Sequence, residues 1–191
     1  MTPARRPATY QDVIDAPANT IAEVIDGQLH LQPRPARPHE GSYAAIYGNL
    51  WGAYDMRSGG GGPRGWVIRP EPELHLHDDI VVPDLAGWRA ERYDWDHEDD
   101  AFHTLVADWC CEIVSPSSIR HDRVTKANVY AREGVAFFWV VHPTEKWIEA
   151  FERLPSSDWK LLGVFEGDEP ARIAPFDAIE LPMASIWGRR A

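Results

Sequence analysis

Apolar and polar residues alternate with two different periods along this chain, and the switches between them mark the elements. Residues 9–17, TYQDVIDAP, open on a threonine able to cap a short helix, which Pro17 then ends. AEVIDGQLHLQP follows, an Asp-Gly dipeptide between apolar alternations, and predicts two paired strands over 22–25 and 28–32. In that hairpin Glu23 lies on the face opposite Ala22 and Val24, and a lone glutamate there faces solvent by default. After a proline-rich connection, Tyr43, Ile46, Tyr47, Leu50, Trp51 and Tyr54 recur at helical spacing, with His39 near the helix start and a glycine run ending it.

The second half is mostly extended. GWVIRPEPELHLH predicts one or two strands, and IVVPDLAGW a buried strand that ends at Pro83-Asp84. Residues 88–103 are charged, aromatic and without period, which predicts a surface excursion. A strand over 105–114 carries Glu112, Ser117 or Ser118 caps a helix running to Glu133, and Gly134 ends it. VAFFWVV reads as a buried strand, WIEAFER alternates, and the remainder predicts an edge strand, a loop and a short terminal helix. No internal repeat is visible.

Composition narrows the classes. The 191 residues suit a flexible tail over 1–8 and one domain over 9–191, of which 44% are apolar residues and 26% charged. A net charge of −11 argues against broad attraction to nucleic acid or an anionic membrane, so a phosphate partner has to be met at a local site. The adjacent Cys110 and Cys111 suit neither a framework disulfide nor a zinc site and read as packing residues. With no membrane-length apolar run and no signal-peptide core, the expected location is the cytoplasm.

Chemistry concentrates on three carboxylates and a lysine. Asp84 emerges where an apolar run ends, Glu112 is embedded in WCCEIV, and Lys126 shares a helix face with Asp122. Buried carboxylates call for a cation, and Mg2+ takes one or two of them while keeping waters and open positions for a phosphate. A nearby lysine can orient the attacking water and offset transition-state charge, a combination suited to phosphodiester hydrolysis. His75 and His77, on one strand face, lack a third ligand for a transition metal. Trp88 and Trp95, near Asp84, are candidates to stack on a base.

The segments EVIDG at Glu23, the proline-rich run to His39, VPDL at Asp84, and EIVSPSSIRHDRVTK with VYAREGVAFFWVVHP together resemble the Uma2 family, from about Tyr10 to about Phe151. That resemblance implies an α/β, restriction-endonuclease-like fold of the PD-(D/E)XK superfamily: a mixed central sheet flanked by helices, with an N-terminal β-hairpin. It implies a Mg2+ or Mn2+ site built from Asp84 and Glu112 with Glu23 contributing, and an endonuclease or phosphodiesterase acting on nucleic acid, DNA first. The motif's usual lysine position, two residues after the acid, is Val114 here, and the resemblance transfers that role to Lys126 on the next helix. Where relatives read Val-Asp-Pro, this chain has Val141-His142-Pro143. His39, His121, Arg120 and Arg123 are expected near the substrate phosphate, and Arg34, Arg37, Arg64 and Arg69 extend a local positive rim. The competing reading is a domain of the same fold without turnover that binds nucleic acid or serves structure. A homodimer through an exposed sheet edge is a further expectation.

Overall fold

The computed structural model describes residues 6–33, 37–115 and 118–188, without the side chains of 33, 37 and 38. Arg34 and Ser117 therefore fall outside the described residues, as does the Arg37 side chain. The chain opens with helix α1 (Tyr10–Ile14), where the Asp12 carboxylate accepts the Thr9 N–H at 2.8 Å. The Asp-Gly turn joins β1 (Thr20–Ile25) to β2 (Gln28–Pro33), with Asp26 and Gly27 both at positive φ. Helix α2 (Arg37–Tyr54) follows. Then come β3 (Trp66–Pro70), β4 (Leu74–Leu76), β5 (Asp79–Val81) and β6 (Leu85–Arg89).

Strand β7 (Trp109–Ile113) is shorter than the pattern predicts, because residues 105–108 form a connection in which the Leu105 carbonyl accepts the Trp88 indole N–H. The helix after it is split. A π-helical segment (His121–Lys126) precedes a regular α3 (Ala127–Glu133), which Gly134 closes at φ 98°. Strands β8 (Phe137–His142), β9 (Trp147–Arg153) and β10 (Trp159–Glu166), and a short α4 (Met183–Ile186), complete the order. No helix among the described residues is long and apolar enough to cross a membrane.

The strands form two sheets. The larger is mixed, in the order β10-β9-β8-β7-β6-β3, antiparallel except where β7 and β8 run parallel on either side of the π-segment and α3. The hairpin is not an isolated appendage: β5 and β4 join it in a second sheet, β2-β1-β5-β4. Period-two alternation divides the large sheet into two faces. Trp109, Cys111 and Ile113 point at α2, α4 and Phe176, while Cys110, Phe138 and Val140 point at α3 and the small sheet. Gly87 on β6 lets the Trp109 and Trp66 rings close over the strand: a Cβ there would lie 3.2 Å from the Trp109 ring and 3.3 Å from the Trp66 ring, so the indoles would have to give by a few tenths of an ångström.

Two expectations change here. Trp88 lies on β6 and is fully buried, so it packs the core and cannot receive a base, whereas Trp95 stays exposed in a 3-10 turn. His75 stacks on Phe102 with centroids 3.8 Å apart and bonds Glu73, while His77 occupies a positive-φ turn and bonds Glu133; the two rings do not converge.

Candidate active site

Parity along β7 decides where Glu112 goes. Its neighbours Cys111 and Ile113 face α2, so Glu112 faces α3 and the small sheet. Antiparallel pairing of β6 with β7 matches Leu85 to Cys111, and one step further the register sets Asp84 across from Glu112. Asp84 Oδ2 accepts the Ile113 N–H at 2.6 Å, and Oδ1 lies 2.9 Å from His39 Nε2, which arrives from the first turn of α2.

Glu23 comes from the opposite direction. It is completely buried: β5 pairs beside β1 in the same sheet and brings Val82 to it, and the π-segment closes over its face. Its Oε1 accepts the Val82 N–H at 2.9 Å and the Lys126 ammonium at 2.9 Å, while Oε2 lies 2.9 Å from His121 Nε2 and 3.4 Å from Gln32 Nε2. The solvent-facing default for this glutamate fails because a second sheet layer, invisible in the hairpin itself, packs on that face.

Lys126 sits between the layers. Its Nζ lies 2.9 Å from Glu23, 2.8 Å from Glu112 Oε1 and 2.8 Å from the Val82 carbonyl. Tyr130 donates its hydroxyl to the same Glu112 oxygen at 2.5 Å. The π-segment makes this possible. A π turn closes on the fifth residue, so His121 and Lys126 align and reach the two oxygens of one carboxylate, which five α-helical residues would splay apart. Asp122 is buried on the same wall.

The electrostatics follow from one ammonium among four acids. Burial works to raise the Glu23 carboxyl, but the Lys126 charge, then hydrogen bonds from His121 and Val82 N–H, outweigh it and hold the group at about 2. Glu112 goes the other way: burial dominates, with Asp122, Asp84 and Glu23 adding to it against Lys126, and its carboxyl is pushed well up. Asp122 is raised by burial despite Lys126 and a bond from Ser118. Burial pulls the Lys126 ammonium down, yet Glu112, Glu23 and Asp122 together raise it well above the ordinary lysine value. It stays protonated.

A cleft of about 60 Å³ opens on this group, lined by His39, Asp84, Glu112, Asp122, Lys126 and main-chain neighbours including Ile113. Hard oxygen donors across two adjacent strands, with excess negative charge, suit a divalent cation of the Mg2+ or Mn2+ type. No group of three or more His, Cys, Asp or Glu among the described residues is gathered to hold a metal. Glu23 and Asp84 each have both carboxylate oxygens engaged by protein groups, and Glu112 has Oε1 engaged by Lys126 and Tyr130; Asp84 and Glu112 are the two of these that line the cleft.

Of the expected phosphate neighbours, His121 bonds Glu23 and lies 4.9 Å, ring to ring, from His30. Arg120 is exposed at the entry to the π-segment, and Arg123 is exposed and bonds Glu149 at 2.7 Å. The wider rim does not gather at the cleft: Arg69 pairs with Asp55 and Glu98, and Arg64 bonds the Met56 and Gly60 carbonyls. Asp122 and Tyr130 belong to the cluster and were not singled out as site residues from the sequence. The available signal was their place four residues before and after Lys126.

The model of the Uma2 family, described as "Putative restriction endonuclease", matches residues 7–184. Among solved structures, the chain is similar to one described as a "putative nuclease belonging to DUF820 from Anabaena variabilis ATCC 29413". The TM-score is 0.74 at 18% identity, covering 95% of this chain and 98% of that one, a likeness of fold. No curated protein matches.

Proposed function

The chain belongs to the Uma2 family, and from that premise we propose that it is a divalent-metal-dependent nuclease hydrolysing phosphodiester bonds of nucleic acid, with DNA the first candidate. The observation that carries this reading is the single cleft in which Asp84, Glu112, Asp122 and Lys126 meet. Asp84 and Glu112 would hold the cation, which when bound would supply charge for a phosphate oxygen and lower the pKa of water.

The chain's own residues do the rest. Lys126, held protonated with its three N–H groups directed at Glu23, Glu112 and the Val82 carbonyl, offsets charge developing in the transition state, and donates to the attacking water or a phosphate oxygen on release of one of these partners. Glu23 serves as the anchor that fixes Lys126 and His121 together. Tyr130 orients Glu112 as His39 orients Asp84. Arg120 and Arg123, exposed at the same helix, meet the flanking phosphates. With a chain of net charge −11, the grip on nucleic acid is local, and because few phosphates are neutralised its salt dependence is shallow.

The test is cleavage of plasmid, single-stranded DNA and RNA by purified protein in Mg2+ and in Mn2+, beside Lys126→Ala and Asp84→Ala. Cleavage by the wild type that both variants lose supports the reading. Equal cleavage by all three marks a contaminant and rejects the roles assigned. Binding without turnover would instead support the competing reading, a nucleic-acid-binding domain in which Lys126 is committed to its two carboxylates.

A further inference from the structure

The charged groups of the cleft are committed to one another. Lys126 directs its three N–H groups at Glu23, Glu112 and the Val82 carbonyl, Asp84 is held by Ile113 N–H and His39, and Glu112 Oε1 takes Lys126 and Tyr130. Asp122 differs. It lines the same cleft and is only 4% exposed, yet no Lys, Arg or His nitrogen among the described residues makes an ion pair with it. Its side chain is held by the Ser118 hydroxyl. That donor is preset, because the Ser118 oxygen already accepts the Ser115 N–H at 3.0 Å and the Ser115 hydroxyl at 3.1 Å, which leaves its own proton for Asp122. A carboxylate offers about four acceptor sites, and one serine leaves others to face the cleft.

We propose that Asp122 is the proton acceptor of the reaction, holding the attacking water through its open acceptor sites and taking a proton from it as the water oxygen adds to phosphorus. The inference rests on the nuclease reading of this cleft. As the new P–O bond forms, the bond from phosphorus to the leaving oxygen breaks; that oxygen takes a proton from solvent, and the proton on Asp122 returns to solvent. The cleft, at about 60 Å³, has room for roughly two to four waters at ~15–30 Å³ each.

The neighbouring groups are poorer acceptors. Lys126 is kept protonated by Glu112, Glu23 and Asp122, and an ammonium has no lone pair to offer. Glu23 has donors on both oxygens and a carboxyl held at about 2, which makes it a weak base. Asp122 is moved the other way: burial raises its carboxyl, with Asp84 and Glu23 adding to that and Lys126 and Ser118 opposing it. Glu112 from β7 and His39 from α2 complete the wall it faces. Nor is Asp122 drawn into a ligand set, since no three acids or imidazoles among the described residues gather to hold a metal. It stands beside the Asp84 and Glu112 pair, on the side from which a water would approach a phosphate held there.

Asp122→Asn in the full chain tests it through three readouts. Single-turnover cleavage of plasmid and of a single-stranded oligonucleotide should fall by about a hundredfold or more. Mg2+ affinity by titration calorimetry should stay within about twofold of wild type, and stability to urea should not fall, because one like charge leaves a wall of acids. The residual rate of the variant should also climb about tenfold per pH unit where the wild type is level, since hydroxide needs no acceptor. Asp122→Ala with added formate stands in if the asparagine variant melts early: an outside carboxylate should restore its turnover. Unchanged cleavage by Asp122→Asn overturns the proposal and leaves the nuclease reading standing. Loss of Mg2+ binding overturns it in favour of a metal ligand, and a formate-insensitive Asp122→Ala overturns it in favour of a structural role. A wild type that binds Mg2+ and cleaves nothing rejects both readings together.

Discussion

Replacing Lys126 by methionine keeps most of the side chain's volume and removes its charge, leaving Glu23 and Glu112 buried without their shared cation. Glu23 alone sets a scale. A carboxyl held at about 2 against an ordinary 4.5 contributes roughly 3 kcal/mol to stability at neutral pH. Removing one partner of a buried ion pair typically costs about 3–5 kcal/mol, and the two figures agree in size. The sign with pH is determined. Because the folded carboxyl is depressed, its contribution is complete above 4.5 and disappears as pH falls from there toward about 2. In Lys126→Met the same carboxyl keeps its bonds to Val82 N–H and His121 but is buried without the ammonium charge, and it moves up instead, so acid relieves the variant while it weakens the wild type. Urea unfolding from pH ~7 to pH ~4 should therefore show a large penalty at neutral pH that shrinks steadily on acidification. A variant within about 0.5 kcal/mol of wild type at neutral pH, or a penalty that ignores pH, refutes the reading of Lys126 as the charge that holds these layers together.

Three further outcomes follow from the same geometry. Asp84→Asn should abolish the rise in melting temperature with Mg2+ or Mn2+, a stabilisation of about 2.7 kcal/mol in the wild type when metal is at a hundredfold its Kd; scanning calorimetry with and without metal reads it. Tyr130→Phe removes the hydroxyl donor to Glu112 and should cost about 1–3 kcal/mol by urea titration, with the fold's circular dichroism unchanged. Burial pushes both the Cys110 and Cys111 thiols well up, so neither should react with a thiol reagent in the native protein, and both should on unfolding; fast labelling of either under native conditions would contradict their place in the sheet.

The strand segments and their faces were legible in the sequence because they depend on local period. Alternation in Trp109–Ile113 separates Glu112 from Cys111 and Ile113 whatever packs outside, and the Asp-Gly turn dictates the pairing of β1 with β2. Charge embedded in WCCEIV, and an aspartate at the end of an apolar run, marked two site residues on the same local grounds. Trp88 was misplaced because the charged residues after it hid the fact that β6 runs on to Arg89.

Tertiary structure decided the remainder, and each case involves a partner distant in the chain. Glu23 is buried through β5 and the π-segment, the latter almost a hundred residues away. Helical periodicity places Asp122 and Tyr130 on the face of Lys126, but gives no sign that this face closes on Glu112, nor that a π turn brings His121 into line with Lys126. A side chain's direction is set by its own strand or helix; the charge it meets there is set by whatever the fold packs opposite. That is why the residue types of this site could be named from sequence, and why the lysine shared by two glutamates could be seen only once the layers were stacked.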